Sequence, residues 1–204
     1  CACLVGSEMC IRDSVRIEGG VPCNLARHNA RLNSTLTRFW PGSSPVDLEA
    51  VLAGLTHRER HKARVVYGER GVEELTCTPY HPRAIRTLRL VEDDAIDYSF
   101  KSVGREPLNR LAALADGADD IIIVKNGLLT DTSFTNIALT DGHRWLTPAM
   151  PLLRGTKRAE LLDSGLVVER DIPATDCCRY KAVRLFNAML DFGEIEVPMN
   201  MVMR

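Results

Sequence analysis

The sequence lacks an excess of charge of either sign. Its 204 residues carry 26 lysines and arginines against 27 aspartates and glutamates, which leaves a formal net charge of -1. A protein that binds a polyanion needs spare positive charge to meet the phosphates, so we expect no nucleic-acid partner. The sequence also lacks any apolar run close to the roughly 20 residues that a membrane-spanning helix requires. Its hydrophobic fraction of 45% and charged fraction of 26% are ordinary for a globular protein, and no membrane partner is expected.

Metal-ligand spacings are missing as well. The seven cysteines include no C-x-x-C pair, and the adjacent Cys177 and Cys178 do not have zinc-ligand spacing. Residues 57–61 (HRERH) place two histidines four apart, but the glutamate is one position away from its place in H-E-x-x-H. Their arginines would repel a divalent cation, so we interpret the segment as a solvated helix end and expect no metal. Scattered thiols in a chain without a recognisable secretory signal favour a cytoplasmic protein.

The first fourteen residues show neither helical nor strand periodicity, and the chain does not begin with methionine. We interpret residues 1–14, including Asp13, as a foreign extension similar to a translated sequencing adaptor. A short native arm is the alternative. The remaining chain is predicted to form a small N-terminal domain over residues 15–95, truncated at its start, and a C-terminal domain over residues 96–204.

Hydrophobic periodicity predicts helices and strands in mixed order. Apolar residues at helical spacing predict four helices, which begin near Asn24, Val46, Pro107 and Gly155. Strands are predicted at residues 63–67, 75–80, 87–91, 96–100, 121–124, 136–139, 144–146 and 183–187. The Asn-Gly pair at 126–127 predicts a hairpin, because both residues tolerate positive φ. Since the strands follow one another in hairpins rather than in regular βαβ units, the predicted fold class is mixed α/β (α+β).

The start of the last predicted helix is a candidate anion site. Gly155 precedes it, and a helix start offers backbone N–H groups and the positive end of the helix dipole to a phosphate. The surrounding run LRGTKR lacks the first glycine of a nucleotide-binding loop, so nucleotide hydrolysis is not expected. Local sequence leaves open that this is an ordinary helix start without a ligand.

Four segments occur in an order typical of one family. Residues 28–32 read HNARL, residues 98–101 read YSFK, residues 119–137 read DDIIIVKNGLLTDTSFTNI, and residues 147–158 read TPAMPLLRGTKR. They resemble, in turn, the H-x-x-R-L helix, the lysine strand, the V-T-E-x-x-x-x-N segment and the T-P…G-I-T-R turn of the class IV aminotransferase superfamily. The resemblance covers about residues 15 to 204. It implies the fold of the fold-type IV pyridoxal-phosphate enzymes, with two α/β domains, the cofactor between them, and a homodimer.

The resemblance implies that Lys101 is the catalytic residue, which holds pyridoxal 5'-phosphate as a Schiff base and moves a proton once released. Without the family, a solvated lysine would be the simpler interpretation. Asp131 stands where the family has a glutamate that bonds the pyridine nitrogen and keeps the ring an electron sink. Aspartate is one methylene shorter, which is a departure from the family, and a turn-capping role for Asp131 remains open.

Phosphate binding is implied for Arg31, through a charge-assisted fork, and for the backbone at the helix start. The residues at that helix start are Gly155, Thr156 and Lys157. Lys157 replaces the usual threonine of the family, and its side chain fits an exposed helix position equally well. A surface helix arginine is the alternative for Arg31.

Residues 186–189 (FNAM) resemble the N-A-L or N-A-M segment of aminodeoxychorismate lyases, which makes Asn187 a further candidate cofactor-binding residue. The favoured activity is therefore that of a 4-amino-4-deoxychorismate lyase, which releases pyruvate and 4-aminobenzoate for folate synthesis. Packing of a buried strand explains the same segment equally well. Two alternatives remain: a branched-chain or D-amino-acid aminotransferase, and a truncated, catalytically silent fragment.

Overall fold

The computed structural model describes residues 10–204 of the chain. These residues form two compact units. The first comprises the chain up to His81 together with Phe100–Gly104, and the second comprises Pro82–Ser99 together with Arg105–Arg204. The division between units thus falls after His81, whereas the sequence placed a domain boundary after residue 95. No helix within residues 10–204 combines the length and the apolarity needed to cross a membrane.

The described residues contain strands and helices in mixed order, which confirms the predicted α/β class. The strands are β1 (Ile11–Glu18), β2 (Val21–Pro22), β3 (His61–Gly68), β4 (Gly71–Pro79), β5 (Leu88–Glu92), β6 (Asp120–Lys125), β7 (Leu128–Thr132), β8 (Asn136–Thr140), β9 (Trp145–Pro148), β10 (Val168–Arg170), β11 (Ala182–Asn187), β12 (Leu190–Pro198) and β13 (Val202–Met203). The α-helices are α1 (Leu25–Phe39), α2 (Leu48–Leu52), α3 (Glu106–Ala112) and α4 (Thr156–Asp163). Short 3₁₀ turns lie at Ala113–Ala115, Ala174–Arg179 and Met199–Met201.

The first unit is an antiparallel sheet in the order β2-β1-β3-β4, with α1 and α2 packed against it. On β1, alternate residues point inward, as the period of two in a strand requires. Ile11, Val15 and Ile17 are buried and join Leu32 and Leu36 of α1 in one hydrophobic core. The alternation leaves one more position of β1, residue 13, whose side chain also points toward this core.

That remaining inward position is Asp13, and it corrects the interpretation of the N-terminus. β1 begins at Ile11, which pairs with Tyr67 of β3, and Asp13 pairs with Val65 and is fully buried. The interpretation of residues 11–14 as foreign is wrong, because they form part of the central pairing of this sheet. A polar residue on the inward face interrupts the apolar alternation, which hid the strand. Residues 1–9 of the proposed extension lie outside the described residues.

The second unit contains two sheets. One has the order β13-β5-β6-β7, with β13, β5 and β6 parallel and β7 antiparallel to β6. The other has the order β10-β9-β8-β11-β12. The hairpin between β6 and β7 is confirmed, since Asn126 and Gly127 have φ of 50° and 75°. This hairpin, β8 and the start of α4 position the candidate site of the second unit.

Two local predictions are wrong, and one strand was missed. The predicted strand at residues 96–100 is irregular, because Asp93 and Asp97 accept hydrogen bonds from the backbone N–H groups that follow them. Residues 57–60 form a loop rather than a helix end, and His61 is the first residue of β3. The His57 and His61 rings stack with centroids 3.9 Å apart. Strand β12 was not predicted, since its exposed glutamates and Gly193 weaken the strand pattern.

Candidate active site

In the first unit, the buried carboxylate of Asp13 is the centre of a polar cluster. Its Oδ1 accepts a hydrogen bond from the backbone N of Ser14 at 2.6 Å and from Nη2 of Arg31 at 2.5 Å. Nδ1 of His28 lies 3.0 Å from the same oxygen. His28 and Arg31 are three residues apart on α1 and therefore share one face of the helix. The H-x-x-R motif thus binds Asp13 directly, a contact that the motif itself does not reveal.

The charges around Asp13 keep its carboxyl group ionised. Burial raises its pKa, but the charges of Arg31, His28 and Lys101, with the hydrogen bond to His28, outweigh burial and hold the pKa well below its ordinary value. An ionised carboxylate can only accept hydrogen bonds, so Nδ1 of His28 carries a proton. Asp13 is therefore an anion whose position is set by two side chains of α1.

Lys101 belongs to the same unit and lies beside β1. Its backbone oxygen accepts a hydrogen bond from the N–H of Arg12 at 2.9 Å, and the next residue, Ser102, forms a bridge with Ile11. The predicted catalytic lysine is thus aligned with the residue that precedes Asp13. Of the predicted site residues, Arg31 contacts the Asp13 carboxylate directly, and Lys101 acts on it through its charge.

Tyr67 of β3 completes the buried surroundings of this cluster. It is only 1% exposed, and burial raises its pKa to about 12, with a smaller contribution from the charge of Asp13. Its hydroxyl is therefore neutral at physiological pH and can serve as a hydrogen-bond partner but not as a base.

In the second unit, Asp131 of β7 is a second buried carboxylate. Its Oδ1 accepts a hydrogen bond from Nδ2 of Asn136 and its Oδ2 accepts one from the backbone N of Leu153, both at 2.8 Å. Burial raises the pKa of Asp131 to about 6, although these hydrogen bonds and the charge of Arg158 act in the opposite direction. Asp131 is therefore a carboxyl group that titrates close to neutral pH.

Asn136 links Asp131 to the start of α4. Its Nδ2 also donates to the backbone oxygen of Leu153 at 2.8 Å, and its Oδ1 lies where a Cβ on Gly155 would overlap it. Glycine is therefore required at position 155 by the close approach of Asn136. Sequence reasoning missed Asn136 as a site residue, although the final N of the V-T-E-x-x-x-x-N pattern was the signal for it.

The start of α4 has the form of an anion site. The N-cap residue of this helix is Gly155, which has no side chain to form a cap, and Thr156 at the first helical position is buried. Nζ of Lys157 instead forms an ion pair with Oε1 of Glu160 at 2.6 Å, one turn further along α4. The Lys157 side chain thus occupies a surface ion pair, while the backbone of the helix start remains the candidate phosphate contact.

Asn187, at the end of β11, bonds three backbone groups. Its Oδ1 accepts from the N–H groups of Met189 and Leu190 at 2.8 and 3.1 Å, and its Nδ2 donates to the oxygen of Phe134 at 3.1 Å. The loop that follows Asp131 is held from a second side by Arg105, which donates from Nη2 to the oxygen of Ser133 at 2.8 Å. The Asn187 side chain therefore closes the β11–β12 turn and supports the loop after Asp131.

A cleft of about 250 Å³ lies beside β7 in the second unit. Tyr98, Lys125, Thr130 and Leu152 are among the residues that line it. Thr130 and Leu152 immediately precede Asp131 and Leu153, so the cleft adjoins the segments that bond the Asp131 carboxylate. It offers space for a small molecule next to this part of the site.

Comparison with known proteins identifies the family. Residues 11–196 match the family model described as amino-transferase class IV. An uncharacterised protein of Haemophilus influenzae is 30% identical over 182 residues, which are 87% of this chain and 96% of that protein. The chain belongs to the class IV aminotransferase family. The match begins at residue 11, where β1 begins.

Solved structures agree with this family and with its fold. The chain is 33% identical to a protein of Haemophilus somnus 129pt that is provisionally named a 4-amino-4-deoxychorismate lyase, with a TM-score of 0.85 over 91% of this chain and 98% of that one. A provisionally named amino-acid aminotransferase of Mesorhizobium loti has the same fold at 23% identity, with a TM-score of 0.77 over 93% and 98% of the two chains. A hypothetical aminotransferase of Mycobacterium tuberculosis, in its PLP-bound form, matches at 17% identity and a TM-score of 0.74 over 98% and 85%. The predicted class IV aminotransferase family and fold are confirmed, and the chain is an enzyme of this family.

Proposed function

We propose that this class IV aminotransferase uses pyridoxal 5'-phosphate and acts as a 4-amino-4-deoxychorismate lyase that releases pyruvate and 4-aminobenzoate. The observation that carries the activity is the 33% identity to the provisionally named Haemophilus somnus lyase, over 98% of that protein. A small-molecule amino substrate is the corresponding ligand class.

The residues present fit pyridoxal phosphate by their chemistry. The cofactor has an aldehyde, a dianionic phosphate and a ring nitrogen that is favoured in its protonated form. Taken by itself, the first unit holds an amine at Lys101 and a guanidinium at Arg31, which suit an aldehyde and a phosphate. Taken by itself, the second unit holds a helix that starts after Gly155, which suits a phosphate, and a buried carboxyl at Asp131, which suits a ring nitrogen. Because burial raises the pKa of Asp131 to about 6, a cationic ring nitrogen beside it would stabilise its ionised form.

Each of these residues then has a defined task. When bound, pyridoxal phosphate supplies the electron sink for the reaction. Lys101 would hold the aldehyde through Nζ and would accept or return a proton at that atom. Asp131 would accept the hydrogen bond of the ring nitrogen, and Asn136 and Leu153 hold its carboxylate in place. The family resemblance assigns phosphate binding to Arg31 in the first unit and, separately, to the backbone at Thr156 and Lys157 in the second.

Two variants test the cofactor assignment. Wild-type protein incubated with pyridoxal phosphate and then dialysed is expected to retain a visible absorbance band, which Lys101→Ala abolishes. Lys62→Ala, which changes a lysine of β3 in the same unit, is the matched control and is expected to keep the band. A wild-type protein without the band, or a Lys101→Ala protein that retains it, contradicts the assignment.

The reaction itself is tested with the holoenzyme and 4-amino-4-deoxychorismate. Release of pyruvate without an oxo-acid acceptor supports the lyase. Strict dependence of turnover on 2-oxoglutarate contradicts the lyase and indicates an aminotransferase for branched-chain or D-amino acids. A holoenzyme that turns over neither class of substrate contradicts both activities and indicates a catalytically silent protein.

We further propose that the enzyme is a homodimer, as the family resemblance implies, and that it is cytoplasmic, as its scattered thiols favour. Light scattering coupled to size-exclusion chromatography measures the mass of the assembly. A mass equal to that of one chain at micromolar concentration contradicts the dimer.

A further inference from the structure

We propose that Asp13 is a positioning residue for Arg31 and Lys101, so that one buried carboxylate fixes both the phosphate-binding guanidinium and the catalytic amine. The proposal rests on the proposed function, since it uses the roles assigned there to these two residues. It assigns a task to a residue that matches none of the motifs from which the site was predicted.

Oδ1 of Asp13 holds the Arg31 guanidinium in a fixed geometry. This oxygen accepts the guanidinium Nη2 of Arg31 at 2.5 Å, while the Ser14 N–H at 2.6 Å and His28 at 3.0 Å hold the carboxylate itself. Arg31 is half-buried, with 18% of its side chain exposed, so one edge of its guanidinium is fixed and another faces outward. A guanidinium tethered on one edge has a defined direction for the remaining donors, which is what a phosphate needs.

The other carboxylate oxygen of Asp13, Oδ2, is in a different state. This oxygen is fully buried and has no hydrogen-bond partner among residues 10–204. A buried carboxylate oxygen without a donor is costly and calls for an explanation. Lys101 offers an explanation, because its backbone is bonded to Arg12, the residue before Asp13, and its charge acts on the Asp13 carboxylate. Under this proposal, Oδ2 is the oxygen that is left to accept a hydrogen bond from Nζ of Lys101 in the enzyme.

The position of Asp13 on β1 gives a third reason. Asp13 occupies the inward side of β1 between the buried apolar residues Ile11 and Val15, where an apolar side chain would continue the core. An ion pair in such a place adds little stability compared with well-packed apolar residues, because desolvation opposes it. We therefore explain the acidic side chain at this position by its effect on the orientation of Arg31 and Lys101.

The test compares Asp13→Asn with wild type in two binding measurements on the whole protein. The first is the ratio of affinities for pyridoxal phosphate and pyridoxal, which lacks the phosphate. If Asp13 directs Arg31, the preference of the variant for pyridoxal phosphate over pyridoxal falls by about tenfold to hundredfold. This is the size of effect that one charge-assisted hydrogen bond has. In the Arg31→Gln background, Asp13→Asn is expected to cause no further loss of the ratio.

The second measurement is the pH midpoint of the absorbance band of the lysine-linked cofactor. Removal of the negative charge beside Lys101 disfavours the protonated form, so the midpoint is expected to fall by about one unit or more in Asp13→Asn. Loss of stability alone would lower the unfolding temperature and leave both the ratio and the midpoint unchanged. Asp47→Asn, which changes an exposed carboxylate of the same unit, is the matched control and is expected to change neither.

Several outcomes overturn the proposal. An Asp13→Asn protein whose affinity ratio and pH midpoint equal those of wild type contradicts the proposal. The proposed function would still hold in that case if wild type retains the absorbance band and Lys101→Ala loses it. If Asp13→Asn does not fold, Asp13→Glu decides, since it keeps the charge but displaces it by one methylene. The pH midpoint of Asp13→Glu should stay near that of wild type, because the charge is kept. Its affinity ratio should fall, because the charge is displaced, and an unchanged ratio overturns the positioning of Arg31.

Discussion

Asp13 in the first unit and Asp131 in the second are both buried carboxylates, yet their pKa values move in opposite directions. Burial raises the pKa in both cases, but Asp13 is surrounded by Arg31, His28 and Lys101, whose combined effect holds its pKa well below the ordinary value. Asp131 is bonded mainly by the neutral donors of Asn136 and Leu153, and burial raises its pKa to about 6. The comparison shows that neighbouring charge, not depth, decides the state of a buried acid.

The difference also separates two tasks. Asp13 is already compensated by cations of its own unit, so it can organise the residues around it before any ligand arrives. Asp131 lacks full compensation, so under the proposed function it gains most when a cationic ring nitrogen binds beside it. Under the two proposals, Asp13 positions other residues, whereas Asp131 binds a ligand.

The largest expected change in the free energy of unfolding comes from removing Asp13, the acid whose charge is balanced by neighbouring cations. Asp13→Ala leaves the guanidinium of Arg31 and the ring of His28 without their buried anion, so we expect the free energy of unfolding to fall by about 3–5 kcal/mol at neutral pH. Urea denaturation followed by circular dichroism measures this change. A loss below about 1 kcal/mol would show that the cluster is not stabilised by its anion and would break the contrast with Asp131.

The second prediction concerns pH. Because the folded pKa of Asp131 is about 6 and the unfolded value is about 3.9, the folded state keeps a proton that the unfolded state has lost. The free energy of unfolding therefore falls by about 3 kcal/mol as the pH rises from about 4 to about 6, and is constant above that. Asp131→Asn should remove this component in urea titrations of the cofactor-free protein.

Asp13 affects the free energy of unfolding at lower pH than Asp131 does. Its folded pKa is lowered, so its stabilisation is complete above about pH 4, the ordinary aspartate value, and is lost only as the pH falls below that. If wild type and Asp131→Asn have parallel stability curves above about pH 4, the raised pKa of Asp131 is contradicted.

The third prediction tests the support of Asp131. A methyl group in Gly155→Ala overlaps Oδ1 of Asn136, so the residue that bonds Asp131 must move, and we expect a loss of about 1–3 kcal/mol. Gly54→Ala is the control, because no atom lies within 4 Å of its added Cβ, and its stability should change by less than about 1 kcal/mol. Equal thermal unfolding temperatures for the two variants would contradict the close approach.

The smallest expected effect comes from an exposed acid. Asp47 precedes α2 and its side chain accepts a hydrogen bond from the backbone N of Glu49 at 2.9 Å. Asp47→Ala loses this helix cap, so the free energy of unfolding should fall by about 1 kcal/mol. Urea denaturation beside Asp13→Ala compares the two acids of one unit, and an effect of Asp47→Ala as large as that of Asp13→Ala would contradict the importance of burial.

Local chemistry was predictable where it depends on adjacent residues. The β6–β7 hairpin follows from the ability of Asn126 and Gly127 to adopt positive φ, and β6 follows from its β-branched run. The segment at 96–100 was mistaken for a strand, because its apolar alternation is real while the turn bonds from Asp93 and Asp97 are not visible as periodicity. The order of four short motifs was enough to identify the family, since each motif keeps its own spacing.

By itself, the sequence determined the mixed α/β class, the family and the residue types available for chemistry, because turn preference, periodicity and motif spacing are all local properties. Only the tertiary structure decided that Asp13 belongs to a central strand, that His28 and Arg31 bind it from 15 and 18 residues away, and that Gly155 is required by Asn136. The ionisation of Asp13 and Asp131 was likewise decided there. A pKa depends on burial and on charges brought close by folding, and neither is encoded in the residues next to an aspartate.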